Sequence, residues 1–109
     1  MSKSILLFLS IMFFSSTSLA VVHDGFQVES MHSPDSRPCT FFRLKNVAQA
    51  DSSIANKSPW FALPLTHQGH DVIVSMLLSA YSMGKDISVL TTGGTACDHA
   101  EVSRIYFSY

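Results

Sequence analysis

Positive charge is scarce in this chain. Its 109 residues hold 7 Lys and Arg against 8 Asp and Glu, a formal net charge of −1. It therefore lacks the basic face that follows a phosphate backbone, and nucleic acid is excluded as a partner. Long apolar runs are missing as well: the extended stretch Ile5 to Phe14 is too short to span a bilayer and nothing later is longer, which argues against membrane insertion. Cysteine is limited to Cys39 and Cys97, too few and too far apart for a zinc site. No serine sits in a G-x-S-x-G elbow, no glycine-rich loop is shaped to cradle phosphate, and no H-E-x-x-H pair marks a metalloprotease helix. Internal repeats and low-complexity blocks are absent too. These absences argue against an enzyme and against any cofactor or bound metal.

What is present begins with an export signal. Lys3 supplies a basic start, Ile5 to Phe14 an apolar stretch, and Ser18-Leu19-Ala20 the small residues read by a signal peptidase. Residues 1–20 are expected to be a cleaved signal peptide and residues 21–109 a single domain of a secreted or periplasmic protein. In an oxidising compartment, Cys39 and Cys97 are expected to form an intramolecular disulfide, as small exported domains with thin cores often do.

The centre of the sequence is Asp71 to Leu90. Ile73, Met76, Leu77, Ala80 and Tyr81 recur at helical spacing, and Val74 and Leu78 widen that face until most of the circumference is expected to be covered. Ser75, Ser79 and Ser82 form a narrow polar stripe opposite. Asp71 is placed to cap the first turn, and Gly84 to end the helix in the left-handed conformation. A helix this short needs a surface to pack on, and the flanking strands have to provide it.

Those strands can be read in order. Val21 to Asp24 reads as an exposed lead-in, followed by a first strand, Phe26 to Met31, with Phe26, Val28 and Ser30 on one face and Gln27, Glu29 and Met31 on the other. His32 to Pro38 has the prolines and polar residues of a surface loop. Thr40 to Val47 reads as a second strand with Phe42 and Leu44 on one face. Ala48 to Ser58 is expected to be a long exposed loop with little to bury beyond Ile54. Trp60 to Leu63 is a short third strand, limited by Pro64 to a sheet edge or a strand end, with Trp60 expected in the core. After the helix, Ile87 to Thr91 reads as a fourth strand broken by a Gly93-Gly94 hairpin loop. Thr95 to His99 is a loop carrying Cys97, and Glu101 to Tyr109 is the last strand. The result is a mainly β chain with one helix, in the order β-β-β-α-β-β of a five-stranded OB-fold barrel.

Candidate chemistry is limited. His67, His70 and His99 are the histidines an exported enzyme could use, but polar loop histidines are the simpler reading. Binding suits the chain better: sugar recognition needs a few aromatic faces and hydrogen-bonding loop groups, which the segment His23 to Thr40 offers together with Phe41, Tyr106 and Tyr109.

The signal peptide, Asp24-Gly25 before the first strand, Arg37-Pro38 ahead of Cys39, the lone Trp60, and Tyr81-Ser82-Met83-Gly84-Lys85-Asp86-Ile87 together resemble the B subunits of bacterial AB-type toxins. The likeness is to the subtilase-cytotoxin, pertussis-like and typhoid-type subunits. It implies an OB-fold assembled as a homopentamer, helices lining a central pore with the serine stripe as its solvated wall, a catalytic A subunit as partner, and sialylated host glycans bound at the sides. By this resemblance Asp24, Phe26, Gln27 and Ser30 become the candidate glycan-binding residues. The serine that such subunits place against the sialic-acid carboxylate is replaced here by Gln27 and Val28, so the glycan type does not carry over. The expectation is a secreted, non-catalytic glycan-binding subunit. Its alternative is a small periplasmic or surface protein of structural or stress-related role without a glycan site.

Overall fold

The computed structural model describes residues 20–107, so the expected leader, apart from Ala20, and Tyr109 lie outside the described residues. Five strands and one helix follow as β1 (Val22–His32), β2 (Cys39–Leu44), β3 (Trp60–Pro64), α1 (His70–Met83), β4 (Asp86–Ala96) and β5 (His99–Phe107). This is the expected element order. The strands neighbour one another as β1-β2-β3-β5-β4, and β4 returns to β1, so the sheet closes on itself. Every pair is antiparallel except β3 with β5, which runs parallel through Phe61 and Ala62 opposite Ala100 and Glu101.

Closure needs a bent first strand, and β1 bends twice. Its pairing with β4 slips between His23 and Phe26, where Gly25 takes φ 83°, and its pairing with β2 slips between Val28 and Ser30. Each slip inserts an extra residue and changes which side chains face inward. Phe26, Val28 and Met31 therefore all pack on the core, whereas unbroken alternation had placed Ser30 with Phe26 and Val28. The strand is also longer than its apolar pattern: Val22 pairs with Leu90 and His23 with Val89, so the expected lead-in is strand, and His32 ends the strand instead of opening the loop.

The interior is filled by Phe42, Leu44, Phe61, Leu63, Ile87, Val89, Val102 and Ile105 from the sheet and by Ile73, Leu77 and Ala80 from α1. Phe42 and Phe61 stack with ring centroids 5.1 Å apart. Burying Leu77 is worth about 1.5–3 kcal/mol, and it is the middle of the three helix residues that hold α1 on the sheet. The helix buries a narrower face than its spacing implied. Leu78 is 51% exposed, Tyr81 54% and Met83 61%, because only one side of α1 meets the sheet. Gly84 ends the helix at φ 63° as expected, and the Lys85 N–H donates to the Ala80 carbonyl. Asp71 is not the cap. Gly69 holds that place without a side-chain bond, and Asp71 lies one step inside the first turn, where its carboxylate still meets the positive end of the helix dipole.

Three further expectations change. The 48–58 segment is a packed cover: Ala50, Asp51 and Ile54 are buried, the Asp51 carboxylate accepts from the Ser53 backbone and hydroxyl, and Lys57 donates to the Ser52 and Ile54 carbonyls. Its polar side chains satisfy the loop's own backbone, which polarity alone does not reveal. Gly93-Gly94 is not the hairpin loop. The strand runs on through a slip in register with Gly93 at φ 88°, and the turn comes at Cys97 and Asp98, both at positive φ, between the paired Ala96 and His99. β2 opens at Cys39 and stops at Leu44, beyond which Asn46 turns the chain at φ 64°.

Cys39 and Cys97 are joined as expected, with an S–S distance of 2.04 Å. The bridge anchors the β4–β5 turn to the start of β2, over a small buried cluster of Cys39, Phe41 and Ala62 that Trp60, Ala96 and Cys97 flank. Pro64 lies at the end of β3, opposite Cys39. Among the described residues, no helix is long and apolar enough to cross a membrane.

Candidate functional site

The two faces of β2 and β3 do different work. Phe42, Leu44, Phe61 and Leu63 point into the core, so their neighbours Phe41 and Trp60 are left to the other face. There the end of β1, the loop into β2, and the β4–β5 turn converge. His32, Arg37, Phe41, Trp60 and His99 line a cleft of about 300 Å³, at the small end of ligand pockets. Trp60 is only half-buried and walls this cleft instead of filling the core. Phe41, expected to be an exposed platform, is almost wholly covered by its neighbours.

The walls are set edge to face. His32 meets Phe41 at 6.0 Å between centroids and Trp60 at 6.5 Å, and Phe41 meets His99 at 5.3 Å, with interplanar angles of 80°, 83° and 78°. Such T-shaped contacts satisfy the ring quadrupoles and hold the rings at fixed angles. Arg37 lies across Phe41, its guanidinium carbon 4.4 Å from the ring centroid. Asp35 clamps that guanidinium through two bonds, from Nε at 3.1 Å and Nη2 at 2.8 Å, and also accepts the Arg37 backbone N–H. These bonds hold the Asp35 carboxyl well below the usual carboxylate range, and the same pairing raises Arg37.

The two histidines of the cleft are oriented by different partners. His32 Nδ1 donates to the Ser33 carbonyl at 2.6 Å. His99 Nδ1 faces the Ser58 hydroxyl at 2.9 Å and the Asn56 amide nitrogen at 3.4 Å. The Ser58 oxygen already accepts the Trp60 backbone N–H, so its own proton is available to His99. Burial, followed by the charge of Arg37, lowers the pKa of His99 against the opposing pull of Asp98, so its neutral ring is favoured.

The other histidines tie elements together. His67 accepts the Gly69 N–H on Nδ1 and donates from Nε2 to the Ser103 carbonyl at 2.8 Å. His70 Nδ1 donates to Asp71 at 2.9 Å, while its Nε2 pairs with the buried Thr40 hydroxyl at 2.9 Å, joining the start of α1 to β2. His23 donates to the Ala50 carbonyl and holds the 48–58 cover on β1. Among the described residues no group of three or more His, Cys, Asp or Glu side chains is placed to hold a metal ion.

The β1 residues singled out from sequence are dispersed. Asp24 accepts a short hydrogen bond from the Ser88 hydroxyl, which also accepts the Gly25 N–H. Phe26 packs on the core, Gln27 donates to the Gly84 carbonyl at 2.9 Å, and Ser30 pairs across to Arg43. None of the four lines the aromatic cleft. Of the aromatic platforms proposed from sequence, Phe41 belongs to the cleft, whereas Tyr106 is exposed beside Arg104. His32 and Arg37 fall in the segment His23 to Thr40 that the sequence offered for sugar recognition, but nothing in the sequence joined them to Trp60 or His99, which are remote in the chain. The chain matches no protein-family model, no curated protein and no solved structure with which it was compared.

Proposed function

We propose that this protein is an exported, non-catalytic OB-fold module that recognises cell-surface glycans through the cleft between Trp60 and Arg37. The fold assignment is supported by the β1-β2-β3-β5-β4 strand order, the parallel β3–β5 contact and the helix between the third and fourth strands. Barrels of this kind bind oligosaccharides and oligonucleotides on the β2–β3 face between the β1–β2 and β4–β5 loops. The observation that carries the reading is that the aromatic cleft occupies that face. Rigid aromatic walls supply apolar surface for sugar C–H groups, and the paired acidic and basic groups do not suit a polyanion. The disulfide fits an exported protein and fastens one wall of the cleft to the other.

The resemblance to toxin B subunits extends the proposal to a homopentamer that carries a catalytic A subunit to its target cell. Val72, Leu78, Tyr81 and Met83, apolar and exposed on α1, support a contact surface on the helix. A glycan array probed with the oxidised protein, its Trp60→Leu variant and its Asp24→Ala variant tests the site. Loss of binding in the first variant alone supports the cleft; loss in the second alone returns the site to β1. Solution mass by light scattering tests the assembly, and a monomer removes the pentamer.

A further inference from the structure

We propose that the cleft selects a neutral pyranose over an acidic sugar, by presenting one hydrogen-bond acceptor, Nε2 of His32, together with one donor, the Nε2–H of His99. This inference rests on reading the cleft as a glycan site.

The tautomers follow from the partners. A carbonyl can only accept, so the contact of His32 Nδ1 with the Ser33 carbonyl puts the His32 proton on Nδ1 and leaves Nε2 of the neutral ring with a lone pair. His99 is reversed. Its Nδ1 faces an amide nitrogen of Asn56, which also donates to the Asp98 carbonyl and can only donate, and a Ser58 hydroxyl that is free to turn its own proton toward the ring. Nδ1 must therefore accept, and the proton of His99 lies on Nε2. Neither Nε2 has a hydrogen-bond partner among the described residues, and both rings line the cleft.

A sugar hydroxyl is both donor and acceptor, so hydroxyls on one pyranose edge can satisfy the two imidazoles together. A carboxylate is acceptor-only. It could use His99 but would set its charge against the lone pair of His32. The surrounding charges favour the same choice. Both arginines that lie on the cleft's aromatic rings are already balanced: Arg37 by Asp35, and Arg43, whose guanidinium lies 5.9 Å from the Trp60 ring centroid, by Glu29 at 3.7 Å. Asp98 adds a further acidic group beside His99. An acidic sugar would have to displace Asp35 from Arg37 or remain without a counter-charge, whereas a neutral ring can lie against Trp60 with its hydroxyls toward the histidines.

Trp60 is the only tryptophan in the chain, so its fluorescence reports on the cleft directly. Titration of the oxidised protein with methyl hexopyranosides, and in parallel with methyl glucuronide and methyl sialoside, should give a saturable change with a neutral glycoside and at least about tenfold weaker binding of the acidic ones. His32→Phe and His99→Phe each keep a ring and delete one hydrogen-bonding group, and each should weaken the neutral sugar about tenfold, with thermal melting used to confirm folding. Saturable binding of acidic glycosides alone would overturn the selectivity while keeping the glycan site. Neutral binding unchanged in both variants would overturn the role of the histidine pair. A flat response to every glycoside, with no array binding, would overturn the glycan reading itself.

Discussion

Arg37 lies over Phe41 with its guanidinium carbon 4.4 Å from the ring centroid, and Asp35, two residues earlier, holds it there through both carboxylate oxygens. One short stretch of the β1–β2 loop thus builds its own brace for the rim of the cleft. The Asp35 carboxyl is held far below its ordinary value of 3.8. The folded form therefore gains from this pair above that value, and the gain declines as the pH falls from it through the lowered one. Carboxyl NMR titration should show Asp35 still ionised at its ordinary value of 3.8. Asp35→Asn should loosen Arg37 and weaken sugar binding several-fold with little change in melting temperature, because both side chains are well exposed.

The disulfide closes a segment of 58 residues. The chain-entropy description assigns such a loop about 4 kcal/mol, a large share of the stability of a domain this small. Urea denaturation of Cys39→Ala/Cys97→Ala should show a loss approaching that size. The cleft should suffer as well, since His99 lies two residues from Cys97 and Phe41 two from Cys39.

Gly84→Ala separates conformational strain from crowding. A Cβ at this position would meet nothing within 4 Å, yet φ is 63°. The expected cost is about 1–2 kcal/mol, from the left-handed backbone alone. Gly94→Ala provides the control: it has room for a methyl group against Thr92 and has no such positive φ. Equal losses at both positions in chemical denaturation would count against this explanation.

His99 gives the fold a pH dependence of opposite origin to that of Asp35. Burial and Arg37 lower its pKa from 6.5, so the unfolded chain takes up the proton first. Its contribution to stability is present above 6.5, declines as the pH falls through the window between the ordinary and the lowered value, and is constant below it. Melting temperatures measured across that window should fall on acidification more steeply for the native protein than for His99→Phe. Parallel curves would assign the slope to other groups.

Much of the architecture was legible in local pattern. The order of strands and helix followed from apolar periodicity, the helix stop from Gly84, and the disulfide from two cysteines in a small domain expected to be exported. The errors share a cause. Ser30 was placed on the wrong face because the slip beside Glu29 is set by pairing with β2. Gly93-Gly94 reads locally as a turn but lies within β4, because the register slip around it is set by pairing with β5. Tyr81 and Leu78, expected to be covered, are exposed because the width of the buried face depends on how much sheet the helix meets.

The sequence by itself determined the elements, their order and their covalent tie, because those depend on residues a few positions apart and on cysteine chemistry. Only the tertiary structure decided the site. His32, Arg37, Phe41, Trp60 and His99 come from the end of β1, the loop after it, the adjacent strands β2 and β3, and the start of β5. They meet because the sheet closes and β1 bends at two bulges, and the tautomers that set their hydrogen bonding come from neighbours as remote as Asn56 and Ser58. Closure and tautomer both arise from contacts across the chain, which no local pattern records.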